Sequence, residues 1–179
     1  GKCYMSLHEF HHSANRGACL QNCRRTYILK DKESDTEIEV DNEYLMSPKD
    51  LCTISFIDKI IDAGVSVLKI EGRARSAEYV KTVVECYDQA IKSVLDNTYN
   101  QEKIDEWTKR LSTVFNRGFW NGYYLGQRLG EWAKQHGSKA TKTKVFLGKI
   151  LNYYSNIGVA EIKLETDEEL LVSDEIVIL

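Results

Sequence analysis

With 179 residues, 42% of them hydrophobic, and a formal charge of -3, the chain lies well inside the globular range and is no disordered tail. The charge balance excludes a global basic field, so contact with a polyanion has to come from a local patch. No apolar run reaches about 18 residues, and the opening GKCYMSLHEFHH lacks the pattern of a signal peptide, which predicts a cytoplasmic chain with no membrane partner.

Residues 1–25 (ending HHSANRGACLQNCRR) carry polar, Gly-, Asn- and Arg-rich sequence with no sustained period, as expected of an ordered loop built around something. The start at Gly1-Lys2-Cys3 reads as a piece of a longer protein. Residues 27–46 place two partly alternating segments around an acidic turn at 32–35, which predicts a β-hairpin. Ser47-Pro48-Lys49-Asp50 has the form of an N-cap, a first-turn proline and a first-turn acid, and Leu51, Ile54, Ile57, Ile60 and Ile61 then fall largely on one helical face that Gly64 ends.

Residues 65–70 (VSVLKI) form a short β-branched run, as in a buried parallel strand, with Glu71-Gly72-Arg73 at its carboxyl end. Ser76 can cap a long helix in which Val80, Val84, Tyr87, Ile91, Val94 and Leu95 recur at three- and four-residue steps up to Asp96-Asn97. A second helix is expected over 101–114. The order helix, strand, helix over 47–97 predicts one closing unit of a larger parallel α/β assembly such as a (β/α) barrel. Residues 115–137, rich in Gly and aromatics, read as an irregular connector. From 144 onward, segments 145–152, 157–164 and 169–172 alternate apolar and polar residues, which predicts a small antiparallel β-barrel or sandwich. The expected divisions are therefore 1–97 for the barrel end with its Cys-rich loop, 98–143 for the connector, and 144–179 for a small β-domain.

Of five cysteines, Cys3, Cys19 and Cys23 crowd the first two dozen residues, and in a reducing compartment such clustering favours a metal or cofactor over disulfides. Asn15, Arg16 and Gly17 bend the chain between them, so the thiols can converge on one centre. A cubane cluster or a structural zinc takes four ligands, so the fourth would be His8, His11, His12, Cys52 or a residue outside the chain; the alternative is three free thiols. His8-Glu9-Phe10-His11-His12 formally matches the H-E-x-x-H metalloprotease motif, but Ser13 to Gly17 gives it no helical continuation. Arg24-Arg25 and the group Lys69, Glu71, Arg73 and Arg75 can grip phosphate or carboxylate, with an ion pair to Glu71 as the structural alternative. Phe115, Phe119, Trp120, Tyr123, Tyr124 and Trp132, interleaved with Arg117 and Arg128, can stack bases, although packing is the commoner use of such a stripe.

Four ordered blocks, Ser13 to Arg24 (SANRGACLQNCR), Leu45 to Leu51 (LMSPKDL), Asp62 to Val65 (DAGV) and Lys69 to Arg73 (KIEGR), resemble the U32, or collagenase-like, peptidase family. The resemblance is specific through about Leu95, and the tail from Lys144 is similar to that family's small carboxy-terminal β-domain. It implies a (β/α) barrel followed by a β-domain. The tRNA hydroxylation branch implies a prephenate-dependent, oxygen-independent hydroxylase acting on the wobble uridine of tRNA, with RNA as partner. The family name implies instead a peptidase with a protein substrate, but no Ser–His–Asp or Cys–His pattern supplies a catalytic set, and no catalytic residue is assigned. By the same resemblance Cys3, Cys19 and Cys23 would be three of four ligands to a [4Fe–4S] cluster, the fourth lying before Gly1. The residues expected to bind substrate are Asn15, Arg16, Arg24, Lys69, Glu71 and Arg73.

Overall fold

The computed structural model of the chain describes residues 3–38, 44, 46–73, 75–135 and 137–178, and for Asn15 and Ile38 the backbone only. The chain divides into two units, Gly1–Lys142 and Thr143–Leu179.

The first unit is organised by three helices, α1 (Ile57–Asp62), α2 (Ala77–Leu95) and α3 (Gln101–Ser112). Both longer helices start at a side-chain cap. Ser76 Oγ accepts the Tyr79 N–H at 3.2 Å, and Asn100 Oδ1 accepts that of Lys103 at 3.0 Å, each satisfying an otherwise orphaned first-turn donor. The stripe that α2 buries is Val83, Cys86, Ala90 and Ser93; of the expected positions Tyr87, Ile91 and Val94 pack against this core partly buried, while Val84 and Leu95 are exposed. Small residues win this face because α3 presents Trp107, 4% exposed, opposite them. A bulky stripe would hold the helices too far apart to enclose the indole.

Beneath the helices lie Cys52, Ile54 and Ile57, the last two 1% and 0% exposed, around a tight 3-10 turn (Ile54–Phe56) that runs into α1. Two tyrosines fasten this turn to the helices. Tyr87 Oη accepts the Thr53 N–H at 2.9 Å, and Tyr99 Oη donates to the Ile54 carbonyl at 2.6 Å while its ring stacks on Trp107. Burial pushes the Tyr87 phenol well up and that of Tyr99 to about 12, so both keep their protons.

Residues 47–51 are not helical. Asp50–Leu51 (β3) is a short strand parallel to Phe119–Trp120 (β4), and Pro48 bridges to Trp132. The cap pattern of Ser47-Pro48 was overridden because the N–H groups that would start a helix are used elsewhere: Lys49 N–H donates to the Glu131 carbonyl, Asp50 N–H to Gly118 and Cys52 N–H to Trp120. A residue before proline is also biased to extended backbone. The helix starts only at Ile57 and ends at Gly64, whose φ of +85° suits glycine.

Residues 65–70 form no strand, and 65–69 are exposed, contrary to the buried strand expected there. A central parallel strand needs a neighbour on each side, and none of the described residues pairs with this segment. The expected hairpin is present where it is described: Leu29–Lys30 (β1) pairs antiparallel with Glu37–Ile38 (β2), and Asp31 Oδ1 accepts the Glu33 and Ser34 N–H groups in the turn. Most of its second arm, at 39–43 and 45, lies outside the described residues.

In the second unit, Gly148–Tyr154 (β5) and Val159–Leu164 (β6) form an antiparallel hairpin with an irregularity between Ile150 and Asn152. Residues 169–172, expected as a third strand, are not one, because Leu171 and Asp174 close a turn on each other. Among the described residues, no helix is long and apolar enough to cross a membrane.

Replacing Tyr87 by Phe strands the Thr53 N–H beneath the helices, and urea unfolding should show a loss of about 1–3 kcal/mol. Tyr4→Phe, at a site 80% exposed, should change stability by less than about 0.5 kcal/mol. Equal midpoints for the two variants would remove the tyrosine from the list of groups that hold the core turn.

Candidate functional site

The Cys-rich loop is tied together by one hydroxyl. Ser6 sits in the helical turn Met5–Glu9 and is fully buried; its Oγ donates to the Ala18 carbonyl at 3.3 Å and accepts the Leu20 N–H at 3.2 Å. These bonds hold the turn that follows Cys3 against the residues on either side of Cys19. Between them, Ala14–Arg16 makes a 3-10 turn closed by Gly17 at φ +88°, and a second such turn, Asn22–Arg24, carries Cys23. Cys3 and Cys23 are half-buried, Cys19 is exposed, and all three are free thiols. The described residues contain no group of three or more His, Cys, Asp or Glu side chains placed to hold a metal ion.

A thiol-rich loop has the soft donors that iron–sulfur clusters and zinc take, and one buried group here lacks partners. Asn22 lies between Cys19 and Cys23, is 2% exposed, and neither its amide nitrogen nor its oxygen meets a partner. An amide left so costs about 1–3 kcal/mol, which in a folded protein points to a group normally present beside it. The loop has soft donors and an orphaned amide beside them, but Cys3, Cys19 and Cys23 are not gathered into a group that could hold a metal ion.

The metalloprotease reading is not supported by the backbone. The helical turn stops at Phe10, His11 adopts φ +55°, and His12 lies beyond, its Nδ1 against the Phe10 carbonyl. His8 and His12 therefore do not share a helical face, and His8, Glu9 and His12 are all exposed.

Of the residues expected to bind substrate, Arg73 reaches the loop. Its guanidinium lies over Gly17, where any Cβ would collide with it. Glu71 does not pair with it by charge; its carboxylate accepts the Arg73 backbone N–H at 2.7 Å. Arg16 and Lys69 are exposed, and the Asn15 side chain lies outside what is described. Cys52 and Cys86 are buried in the helical core, where burial raises both thiols, and neither joins the loop.

Arg24 instead faces a cavity of about 200 Å³ lined also by Gln21, Tyr44, Ser47, Arg75, Phe115, Arg117, Gln135 and Gly137. Its guanidinium donates to Ser47 Oγ at 2.5 Å and to the Pro48 carbonyl at 3.1 Å. Arg117 is paired with Asp50 at 3.0 Å, and its backbone N–H donates to the same carboxylate at 2.8 Å. Arg75 lies over the Phe115 ring at 3.8 Å and Arg117 approaches that ring at 5.1 Å. Burial lowers the Arg24 pKa, and Arg117 lowers it further. Sequence reasoning assigned neither Asp50 nor Arg75, Phe115 and Arg117 to one site. Asp50 and Arg117 stand 67 positions apart, and no local pattern joins them.

The sequence model of Peptidase family U32 matches residues 1–134, and the chain belongs to that family. A collagenase of Porphyromonas gingivalis is 59% identical over 99% of this chain and 43% of its own length. The tRNA hydroxylation protein P1 of Bacillus subtilis is 36% identical over 86% of the chain and 37% of that protein. A 23S rRNA 5-hydroxycytidine synthase of Escherichia coli is 38% identical over 73% and 20% respectively. The chain thus spans less than half the length of these relatives. No solved structure matches it.

Asp50→Ala removes the acceptor for two Arg117 donors and the counter-charge beside the cavity. Denaturant titration should show a loss of about 1.5–3 kcal/mol, the range for hydrogen bonds to charged groups. Asp50→Asn, which keeps an acceptor oxygen, should lose less; an Ala variant as stable as the parent would show the pair to be incidental.

Proposed function

We propose that this family U32 chain is part of an RNA-modifying hydroxylase that acts on the wobble uridine of tRNA with prephenate as co-substrate. The proposal includes a [4Fe–4S] cluster on Cys3, Cys19 and Cys23 with a fourth ligand outside the chain, and a first unit that closes a (β/α) barrel. The observation that carries it is the thiol loop, with three free soft donors in one loop, Ser6 tying the turn after Cys3 to the residues flanking Cys19, and an unpartnered Asn22 amide next to Cys23. The names of the Bacillus and Escherichia relatives support RNA as the substrate class.

In this reading an iron–sulfur cluster supplies one-electron transfer when bound. The chain's own residues hold and shield. Ser6 holds the turn after Cys3 to the residues flanking Cys19, Gly17 leaves room for the Arg73 guanidinium, and Arg73 and Arg24 present positive charge beside the loop, toward substrate phosphate or carboxylate.

A second reading, peptidase action on a protein substrate, is favoured by the 59% identity to a protein named collagenase. The exposed and separated His8 and His12 give it no site of the metalloprotease form.

The full-length parent, purified without oxygen, should contain iron and sulfide and absorb in the visible. Cys19→Ala and Cys23→Ala should each lose most of the iron, and deletion of the gene should remove 5-hydroxyuridine from tRNA digests analysed by mass spectrometry. A colourless parent with unaltered tRNA in the deletant, together with gelatin cleavage that depends on His8 or Glu9, would establish the peptidase instead.

A further inference from the structure

The aromatic stripe of 115–132 divides in two. Phe115, Phe119 and Trp120 are half-buried, whereas Tyr123 and Tyr124 are 61% and 66% exposed and Trp132 is exposed as well. The exposed rings are nonetheless fixed. They stand on the loop 121–131, whose two ends are held by one segment: Phe119–Trp120 pairs with Asp50–Leu51 where the loop begins, and Trp132 bridges to Pro48 where it closes. Tyr123 meets the Trp120 ring edge-on at 5.2 Å, and Tyr124 leans on the buried Phe56 ring at 6.1 Å. Trp132 and the Tyr123 hydroxyl both close on Gly130, where a Cβ would collide with the indole. A large ring that is held in place yet left in water gives the fold little, because buried area is what stabilises.

The charge of the stretch indicates what such rings meet. From Thr113 to Lys142 it carries five cations, Arg117, Arg128, Lys134, Lys139 and Lys142, against one acid, Glu131, in a chain whose acids outnumber its cations 27 to 24. Arg117 is committed to Asp50 and Glu131 to Lys49; Arg128 and Lys134 are exposed. Rings that stack, with cations interleaved, are the means by which proteins hold single-stranded nucleic acid. Exposed Leu125 and Leu129 would suit an apolar protein partner, but a polyanion with flat bases uses both the rings and the charge. We propose that the 121–131 loop with Trp132 is a stacking surface for unpaired bases of RNA, in which Tyr123, Tyr124 and Trp132 supply the faces and Arg128 a phosphate contact. The inference deepens the hydroxylase reading and rests on it for the choice of RNA.

Fluorescence anisotropy with a short labelled oligouridine at low salt tests it, on the 179-residue chain and on the full-length parent. Both should bind, and a blunt RNA duplex of the same length should bind at least about tenfold more weakly, since its bases are stacked on one another. Tyr124→Ala should weaken the single strand at least about fivefold, the low end for one lost stacked base, while Tyr124→Phe, which keeps the ring, stays within about twofold. Tyr123→Ala serves if Tyr124→Ala does not fold. Arg128→Gln should flatten the fall of affinity with salt, and Leu129→Ala, which touches no ring, should leave affinity unchanged. The inference is overturned if neither protein binds, if the chain binds and the parent does not, if the duplex binds as tightly, or if both alanine variants match the unaltered chain. Leu129→Ala as harmful as the tyrosine changes also overturns it, marking the loop as an apolar protein contact. A parent that binds through these rings, with tRNA unaltered when its gene is deleted, keeps this surface and sinks the hydroxylase reading alone. Loss of 5-hydroxyuridine in the deletant without ring-dependent binding sinks this surface alone.

Discussion

Residues 47–52 are the extended segment from which the irregular parts of the first unit hang. Its backbone is taken on both sides: Lys49 N–H by the Glu131 carbonyl, Asp50 N–H by Gly118, Cys52 N–H by Trp120, and the Ser47 carbonyl by Ala133 N–H. Its side chains extend the same hold, Ser47 to Arg24 of the thiol loop and Asp50 to Arg117 of the connector. Each bond adds only about 0.5–1.5 kcal/mol net. Together they decide where loops with little regular structure of their own must lie. Cys52, the last residue of the segment, belongs to the helical core, so that core sets the position of everything the segment holds.

The thiol loop has a second anchor in the contact between Gly17 and Arg73. Gly17 has to be glycine on two counts, a left-handed φ of +88° and an arginine where a Cβ would stand. That contact explains why two motifs 50 or more residues apart, SANRG and KIEGR, belong to one site. The first needs the backbone bend and the second fills the space the bend leaves. Gln21 and His11 also take positive φ, without being glycine. Such conformations cost energy and persist only where the surroundings over-determine them, which here means the Ser6 bonds and the turn around Cys23.

Much of this was legible in the sequence wherever a local rule was also the deciding force. Ser76 caps α2 as its position predicts, Asn97 follows the end of that helix, and α3 starts at the expected Gln101. Local rules failed where a distant partner outbid them. Ser47-Pro48-Lys49-Asp50 has every mark of a helix start, yet its donors and its acid are claimed by residues near 118 and 131. Of the expected apolar positions of α2, Tyr87, Ile91 and Val94 pack against the core, but Val84 and Leu95 are exposed, because hydrophobicity ranks them above Ala90 and Ser93, while fit to Trp107 ranks them the other way. The cavity was illegible for the same reason. Arg24 and Arg75 could each be singled out as cations, but no spacing in the sequence says that both meet Arg117 around one phenyl ring.

The division of labour between core and loops follows from the energetics of each. The helices bury Ile57, Cys86, Ala90 and Trp107 almost completely, and a large apolar side chain so buried contributes about 1.5–3 kcal/mol. The loops bury little that is apolar, and instead carry an unpaired amide at Asn22 and three gathered guanidiniums, both of which cost stability. A sequence selected for stability alone would discharge those costs, with leucine for Asn22 or glutamine for Arg75, at no loss to the helical core. Asn22 and Arg24 lie within a few residues of Cys19 and Cys23, next to Gln21, whose backbone is also held in a rare conformation. Costs of this kind, kept apart from the helical core, mark residues that meet another chemical species.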